Sequence, residues 1–155
     1  MTLEKGDVAE DFELLGNDGS PVTLSSFKGS KNVVLCFYPK NHLFACPSKK
    51  VFEMAKSVIS VYSDIISTTT VLFAISVDSV DSQAEFVKEY EIPYVHLSDP
   101  KKIACKKYAG TNIVGLAKRS TFVIGIDGVI HDVMREINVT SHGQEILDSL
   151  NKINV

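Results

Sequence analysis

Residues 32–38, NVVLCFY, run apolar without a break after Asn32 and are rich in β-branched and aromatic side chains, which predicts a central strand buried on both faces. Residues 68–78, TTTVLFAISVD, predict a second strand of the same kind. Between them the apolar positions take helical spacing: Val51, Ala55, Val58, Tyr62 and Ile65, flanked by Phe52 and Ile59, share one face. Lys49, Lys50, Glu53 and Lys56 lie off that face, so one amphipathic helix is expected over 47–66. Upstream, DFELL and PVTLSSF flank GNDGS and read as a strand pair over 11–27, with Asp18-Gly19 as its tight turn. Downstream, SVDSQAEFVKEYEI predicts a helix with Ser82 as N-cap, Phe86, Val87 and Tyr90 as its packed side, and Pro93 as its stop. YVHLSDP reads as a short strand, and Pro100 opens a short helix through Tyr108. STFVIGIDGVIHDVM is a hairpin around Asp127-Gly128, and SHGQEILDSLNKI is an amphipathic helix through Ile146, Leu147, Leu150 and Ile153.

A central strand, a helix and a second strand make a βαβ unit with a right-handed crossover, and the late hairpin must add antiparallel strands. The expected class is α/β: a mixed central sheet flanked by helices on both faces, with an N-terminal β-hairpin, which is the thioredoxin-like layout. Residues 1–155 suit one domain of this size, and 45% apolar with 23% charged residues is enough for a core without staples. A net charge of -3 with no basic stripe gives no reason to expect nucleic acid. No stretch approaches the roughly 20 apolar residues of a membrane span, and MTLEKGDVAEDF lacks the apolar segment of a secretory signal. The expected location is cytoplasmic, or an organelle if a targeting piece has been removed. Three cysteines, Cys36, Cys46 and Cys105, contain no CxxC pair and no zinc-type spacing. No metal site, cofactor or disulfide scaffold is therefore expected, and a reducing compartment suits the thiols.

Of the three, Cys46 stands where chemistry is expected. In open α/β sheets ligands bind at the carboxyl ends of the strands, where a loop enters a helix. Cys46 precedes Pro47, a residue favoured at the first helical position, so it falls at the N-cap or the last loop position. The helix dipole and unpaired N–H groups there stabilise a thiolate, lowering a thiol pKa from about 8.5 into a range of roughly 3.5–7.5. Lys49 and Lys50 oppose the dipole and would add positive potential beside the sulfur. The plain alternative is a small buried hydrophobe.

FYPK…C after a buried strand, VDS after the next, then SDP and RSTFVI, resemble a peroxiredoxin, specifically the bacterioferritin-comigratory or Q-type branch. The similarity runs from GDVAEDFEL to SHGQEILDSL. It implies that Cys46 is the peroxidatic thiol, that Pro39 shields it, and that Arg119 holds the thiolate and polarises the peroxide. Leu43, Phe44 and Ala45 would line the substrate, with the N–H groups of Ala45 and Cys46 completing the cradle. It further implies a hydroperoxide substrate, a sulfenic acid intermediate, and a thiol reductant such as thioredoxin, glutaredoxin or glutathione. The protein would be a monomer or a homodimer. Two positions depart from the family pattern. Leu43 stands where Thr or Ser is usual, and FACPSK replaces PGCTKE, which puts Lys49 in place of a Glu that helps orient the arginine. A slow peroxidase favouring bulky organic hydroperoxides is the expectation.

The resolving position used by many Q-type members, five residues after the peroxidatic cysteine, is Val51 here. Cys105, amid Lys102, Lys106 and Lys107, is the candidate resolving thiol, and these lysines would raise its thiolate fraction; otherwise an external thiol completes the cycle. Cys36 reads as a core thiol. His42 could hydrogen-bond the cradle but is expected to face water, His96 and His131 to be ordinary strand or turn residues, and His142 to cap the last helix. Beside the peroxidase stand two other readings: a family member poor in activity serving as redox sensor, holdase or binding module, and a thiol–disulfide oxidoreductase, disfavoured by the absence of CxxC.

Overall fold

A computed structural model describes residues 2–42 and 49–153. Seven strands form one mixed sheet: β1 (Glu13–Gly16), β2 (Pro21–Thr23), β3 (Asn32–Phe37), β4 (Thr70–Ser76), β5 (Val95–Ser98), β6 (Ser120–Ile124) and β7 (Ile130–Met134). Their spatial order is β2-β1-β5-β4-β3-β6-β7. The three central strands β3, β4 and β5 run parallel, and the N-terminal hairpin and β6–β7 add antiparallel pairs at either side. Every residue of β3 is buried, as its unbroken apolar run requires. Gly19 and Gly128 take φ of +82° and +79°, the left-handed turn conformations that Asp-Gly pairs allow.

Period-two alternation along β3 divides the core into two layers. Val33, Leu35 and Phe37 pack with Phe12, Leu14, Ala104, Cys105 and Tyr108. Val34, Cys36 and Tyr38 face α1 (Lys49–Ser60), α2 (Tyr62–Ile66), α3 (Val80–Glu89) and α5 (His142–Ile153), whose contributions include Met54, Val58, Ile65, Phe86, Ile146 and Leu150. The first layer is covered by α4 (Ile103–Lys107) and the N-terminal segment.

Four local expectations need correction. The single helix over 47–66 is two, because Val61 leaves helical geometry at φ −121°, ψ 12°. Leu24–Phe27, read as strand, is a 3-10 turn following Thr23. The cap of α3 is Ser79 rather than Ser82: its hydroxyl accepts the Ser82 N–H at 3.1 Å. The helix after Pro100 begins only at Ile103, where Lys102 takes φ 61° and the Asp99 carboxylate accepts the N–H groups of Ile103 and Cys105, each at 2.8 Å.

Candidate active site

Register decides which loops meet. Phe37 lies between Ile75 and Ser120, and Ser76 lies beside Ser98. The chain therefore leaves β3, β4 and β5 and enters β6 at one pole of the sheet, bringing together residues 38–42, 77–79, 99–102 and 118–119. Pro39 is there, half-buried and next to Tyr38, and so is Arg119. Cys46, with Leu43, Phe44 and Ala45, lies outside the described residues. Helix α1 starts three residues beyond Cys46, and Lys49 and Lys50 are exposed at its first turn.

Arg119 reaches across the layer faced by α1. Its Nη1 donates to Met54 Sδ at 3.3 Å, and it makes no ion pair among the described residues. Cys36, Tyr38, Met54, His96 and Arg119 line a cavity of about 20 Å³, enough for one water. Burial lowers the guanidinium pKa, with Tyr38 opposing, yet an arginine keeps its charge at any working pH. The pole thus holds a half-buried cation whose partner among the described residues is a neutral thioether.

The stem of the loop leading to Cys46 is fastened by a buried polar network that the sequence did not announce. Tyr38 OH donates to Asn41 Oδ1 at 2.6 Å and lies 3.1 Å from Gln83 Oε1. Asn41 N donates to Asp78 Oδ2 at 2.9 Å, and its Nδ2 donates to Gln83 Oε1 at 2.9 Å and Ser82 Oγ at 3.1 Å. Gln83 Nε2 in turn donates to Ser76 Oγ and the Leu97 carbonyl. Asn41 and Gln83 are wholly buried, so each group here depends on the others for its hydrogen bonds. The network joins the ends of three strands to α3 and fixes where the loop departs. Only the VDS motif pointed toward it.

The other thiols and the histidines differ in part from expectation. Cys36 is a core thiol, its pKa pushed up to about 12 by burial. Cys105 is fully buried, and desolvation first, then Asp99, push its pKa well up, with Lys102 opposing. The expected lysine-raised thiolate is corrected: Lys106 and Lys107 lie in the exposed part of the helix while the sulfur points into the core. Cys105 also belongs to the layer across the sheet from Met54 and the cavity beside Arg119. His42 faces water only in part: the residue is half-buried, its Nε2 is buried without a partner among the described residues, and its ring meets Phe86 edge-on at 6.3 Å. His96 is no ordinary strand residue, being caged by Tyr38, Phe86 and Tyr94 with Nδ1 unpartnered among the described residues. His131 pairs with exposed Asp127. His142 opens α5, but its ring bonds Thr121 Oγ1 at 2.7 Å and Glu145 at 3.1 Å, tying the helix to β6 instead of capping backbone. Among the described residues no group of three or more His, Cys, Asp or Glu side chains could hold a metal ion, and no helix is long and apolar enough to cross a membrane.

The AhpC/TSA family profile matches residues 5–133. The chain belongs to this family. Peroxiredoxin Bcp of Bacillus subtilis (strain 168) is 32% identical over 158 residues, covering 97% of this chain and 96% of the relative. Peroxiredoxin Q, chloroplastic, of Sedum lineare is 32% identical over 130 residues, 83% of this chain and 67% of the relative. Among solved structures, peroxidoxin BcpB from Mycobacterium tuberculosis superposes with a TM-score of 0.85 at 28% identity, covering 97% and 98% of the two chains. PrxQ from Xylella fastidiosa gives 0.89 at 22% identity over 100% and 99%, a likeness of fold. The Q-type peroxiredoxin branch and the thioredoxin-like fold are therefore those expected from the sequence.

Proposed function

We propose that this peroxiredoxin, a thiol-dependent peroxidase by family, reduces hydroperoxides through the Cys46 sulfur with Arg119 as its electrostatic partner. The thiolate attacks the terminal peroxide oxygen, the O–O bond breaks, and the departing oxygen leaves as water or an alcohol after taking a proton. Cys46 is left as a sulfenic acid. A thiol then condenses with it, releasing water and forming a mixed disulfide, and a second thiol displaces that disulfide to restore Cys46. The observation that supports this reading is the cation of Arg119, facing no carboxylate among the described residues, at the pole from which the chain enters the Cys46 loop. A fixed guanidinium there stabilises both the thiolate and the charge developing on the peroxide.

Cys105, protonated and packed in the opposite layer, suits a one-cysteine cycle completed by an external thiol such as glutathione, glutaredoxin or a thioredoxin. Buried free thiols at Cys36 and Cys105 suit a reducing compartment: the cytoplasm, or an organelle interior such as that named for the Sedum relative. Leu43 in place of a hydroxyl residue removes a donor whose loss costs on the order of 10²–10³ in rate in other enzymes, and favours bulky organic hydroperoxides. Turnover of cumene hydroperoxide against hydrogen peroxide, in wild type and Cys46→Ser, tests the assignment. Activity is expected in wild type alone, with cumene hydroperoxide preferred; turnover by Cys46→Ser would refute the nucleophile. Intact mass after one equivalent of peroxide is expected to show a gain of one oxygen; a loss of two hydrogens would instead establish an internal disulfide.

A further inference from the structure

Arg119 must be held still to act, and the usual means is a carboxylate. None of the acids near it serves. Glu53, adjacent to Met54 in sequence, points to Lys56 at 3.7 Å, and Glu145 is engaged by the His142 ring at 3.1 Å. The hydrogen bond that the guanidinium makes among the described residues is to the thioether of Met54 at 3.3 Å. Met54 is itself fixed, 6% exposed within the layer formed by Val51, Ala55 and Val58 of the same helix.

We infer that Met54 is the positioning residue for Arg119, its sulfur standing where a carboxylate would otherwise orient the guanidinium; this rests on the catalytic reading of Arg119 given above. The physical consequence follows from charge. A carboxylate would orient the guanidinium and cancel much of its field, whereas a thioether is a weak, neutral acceptor that orients without neutralising. The full positive charge is left for the Cys46 thiolate and the peroxide. The titratable and charged groups around Arg119 agree with that role. Tyr38 is neutral with its pKa raised by burial, the Cys36 thiol is protonated, and His96 and His142 are both shifted toward their neutral forms. Helix α1 thus carries two links to the site: its start follows Cys46, and its second turn holds the arginine.

The test is deletion of the sulfur without loss of shape. Norleucine replaces the thioether by a methylene at the chain's three methionines, and Met134→Leu serves as control. Met54→Leu removes the acceptor genetically, and Met54→Gln restores one. The readout is the second-order rate constant of Cys46 oxidation by hydroperoxide, followed from pH 5 to 9 with thermal stability recorded in parallel. The norleucine protein and Met54→Leu are expected to react about tenfold more slowly, the scale of a lost hydrogen bond to a charged group, with the acid limb of the profile displaced upward. Met54→Gln is expected to recover to within about threefold of wild type. Arg119→Gln, losing the cation itself, is expected to lose about 100-fold. If Arg119→Gln falls that far while norleucine and Leu stay within about twofold of wild type, Met54 does not position the arginine, though Arg119 keeps its role. If norleucine is normal and both Leu and Gln are slow, Met54 serves packing alone and the inference fails. If Arg119→Gln reacts at the wild-type rate, the catalytic reading falls and the inference with it.

Discussion

Replacement of His96 by Leu is expected to remove a large part of the acid sensitivity of folding. The imidazole is 2% exposed in β5, stacked on Tyr94 at 5.4 Å and 14°, and flanked by Tyr38 and Phe86 rings each at 5.7 Å. Burial in this aromatic cage drives its pKa from 6.5 down to about 3, with the Tyr94 backbone opposing. The folded state therefore keeps His96 neutral, while the unfolded chain takes up a proton as the pH drops through 6.5. Stability is fully present above that value and is lost as the pH falls toward 3. At about 1.36 kcal/mol per unit of separation, one such group accounts for roughly 2.5 kcal/mol between pH 7 and pH 4.5, and no more than about 5 kcal/mol in all. Urea unfolding of wild type and His96→Leu at both pH values measures it. Other groups titrate over the same range, but they do so in both proteins, so the wild-type loss minus the variant loss isolates His96. A difference of about 2 kcal/mol or more is expected. Equal losses in the two proteins would show that His96 is not held neutral, and would refute the cage argument.

Two further substitutions probe the scaffold of the site. Asn41→Ala strips Tyr38 OH of the closer of its two acceptors and Gln83 and Ser82 of a donor within a buried network, and is expected to cost about 2–4 kcal/mol in urea unfolding; a change below about 0.5 kcal/mol would mean that the network does not anchor the loop stem. Gly143→Ala places a methyl against the Ser57 carbonyl where α5 crosses α1, and should destabilise by about 3 kcal/mol, with an unchanged melting temperature arguing against that close approach.

Much of this fold could be read along the chain because the signals were local. NVVLCF could be nothing but a doubly buried strand, and the Asp18-Gly19 and Asp127-Gly128 turns announced both hairpins. What escaped were outcomes settled by distant partners. Val61 interrupts a helix whose periodicity runs on unbroken, and Lys102 enters the left-handed region because Asp99 claims the next free N–H groups. The site divides the same way. The family resemblance named Arg119 and Pro39 as candidates, and both lie at the pole from which the chain runs on toward Cys46. The Asn41–Asp78–Gln83 network joins residues 37 and 42 positions apart, and beyond the VDS motif no local pattern marks it. Met54 was not among the residues that the helical spacing singled out, and nothing local marked that its sulfur meets an arginine 65 residues away. Cys105 misled because the thiol points inward, where desolvation and Asp99 outweigh the charge of Lys102.

The central proposal is that Arg119 holds Cys46 as a thiolate at neutral pH. The direct measurement is the pH dependence of Cys46 alkylation in wild type and Arg119→Gln. Cys36 and Cys105 stay silent, since burial raises the pKa of both thiols. The account predicts a wild-type Cys46 pKa below about 7 that rises by about one unit or more in the variant. A value near about 8.5 in both proteins would contradict it.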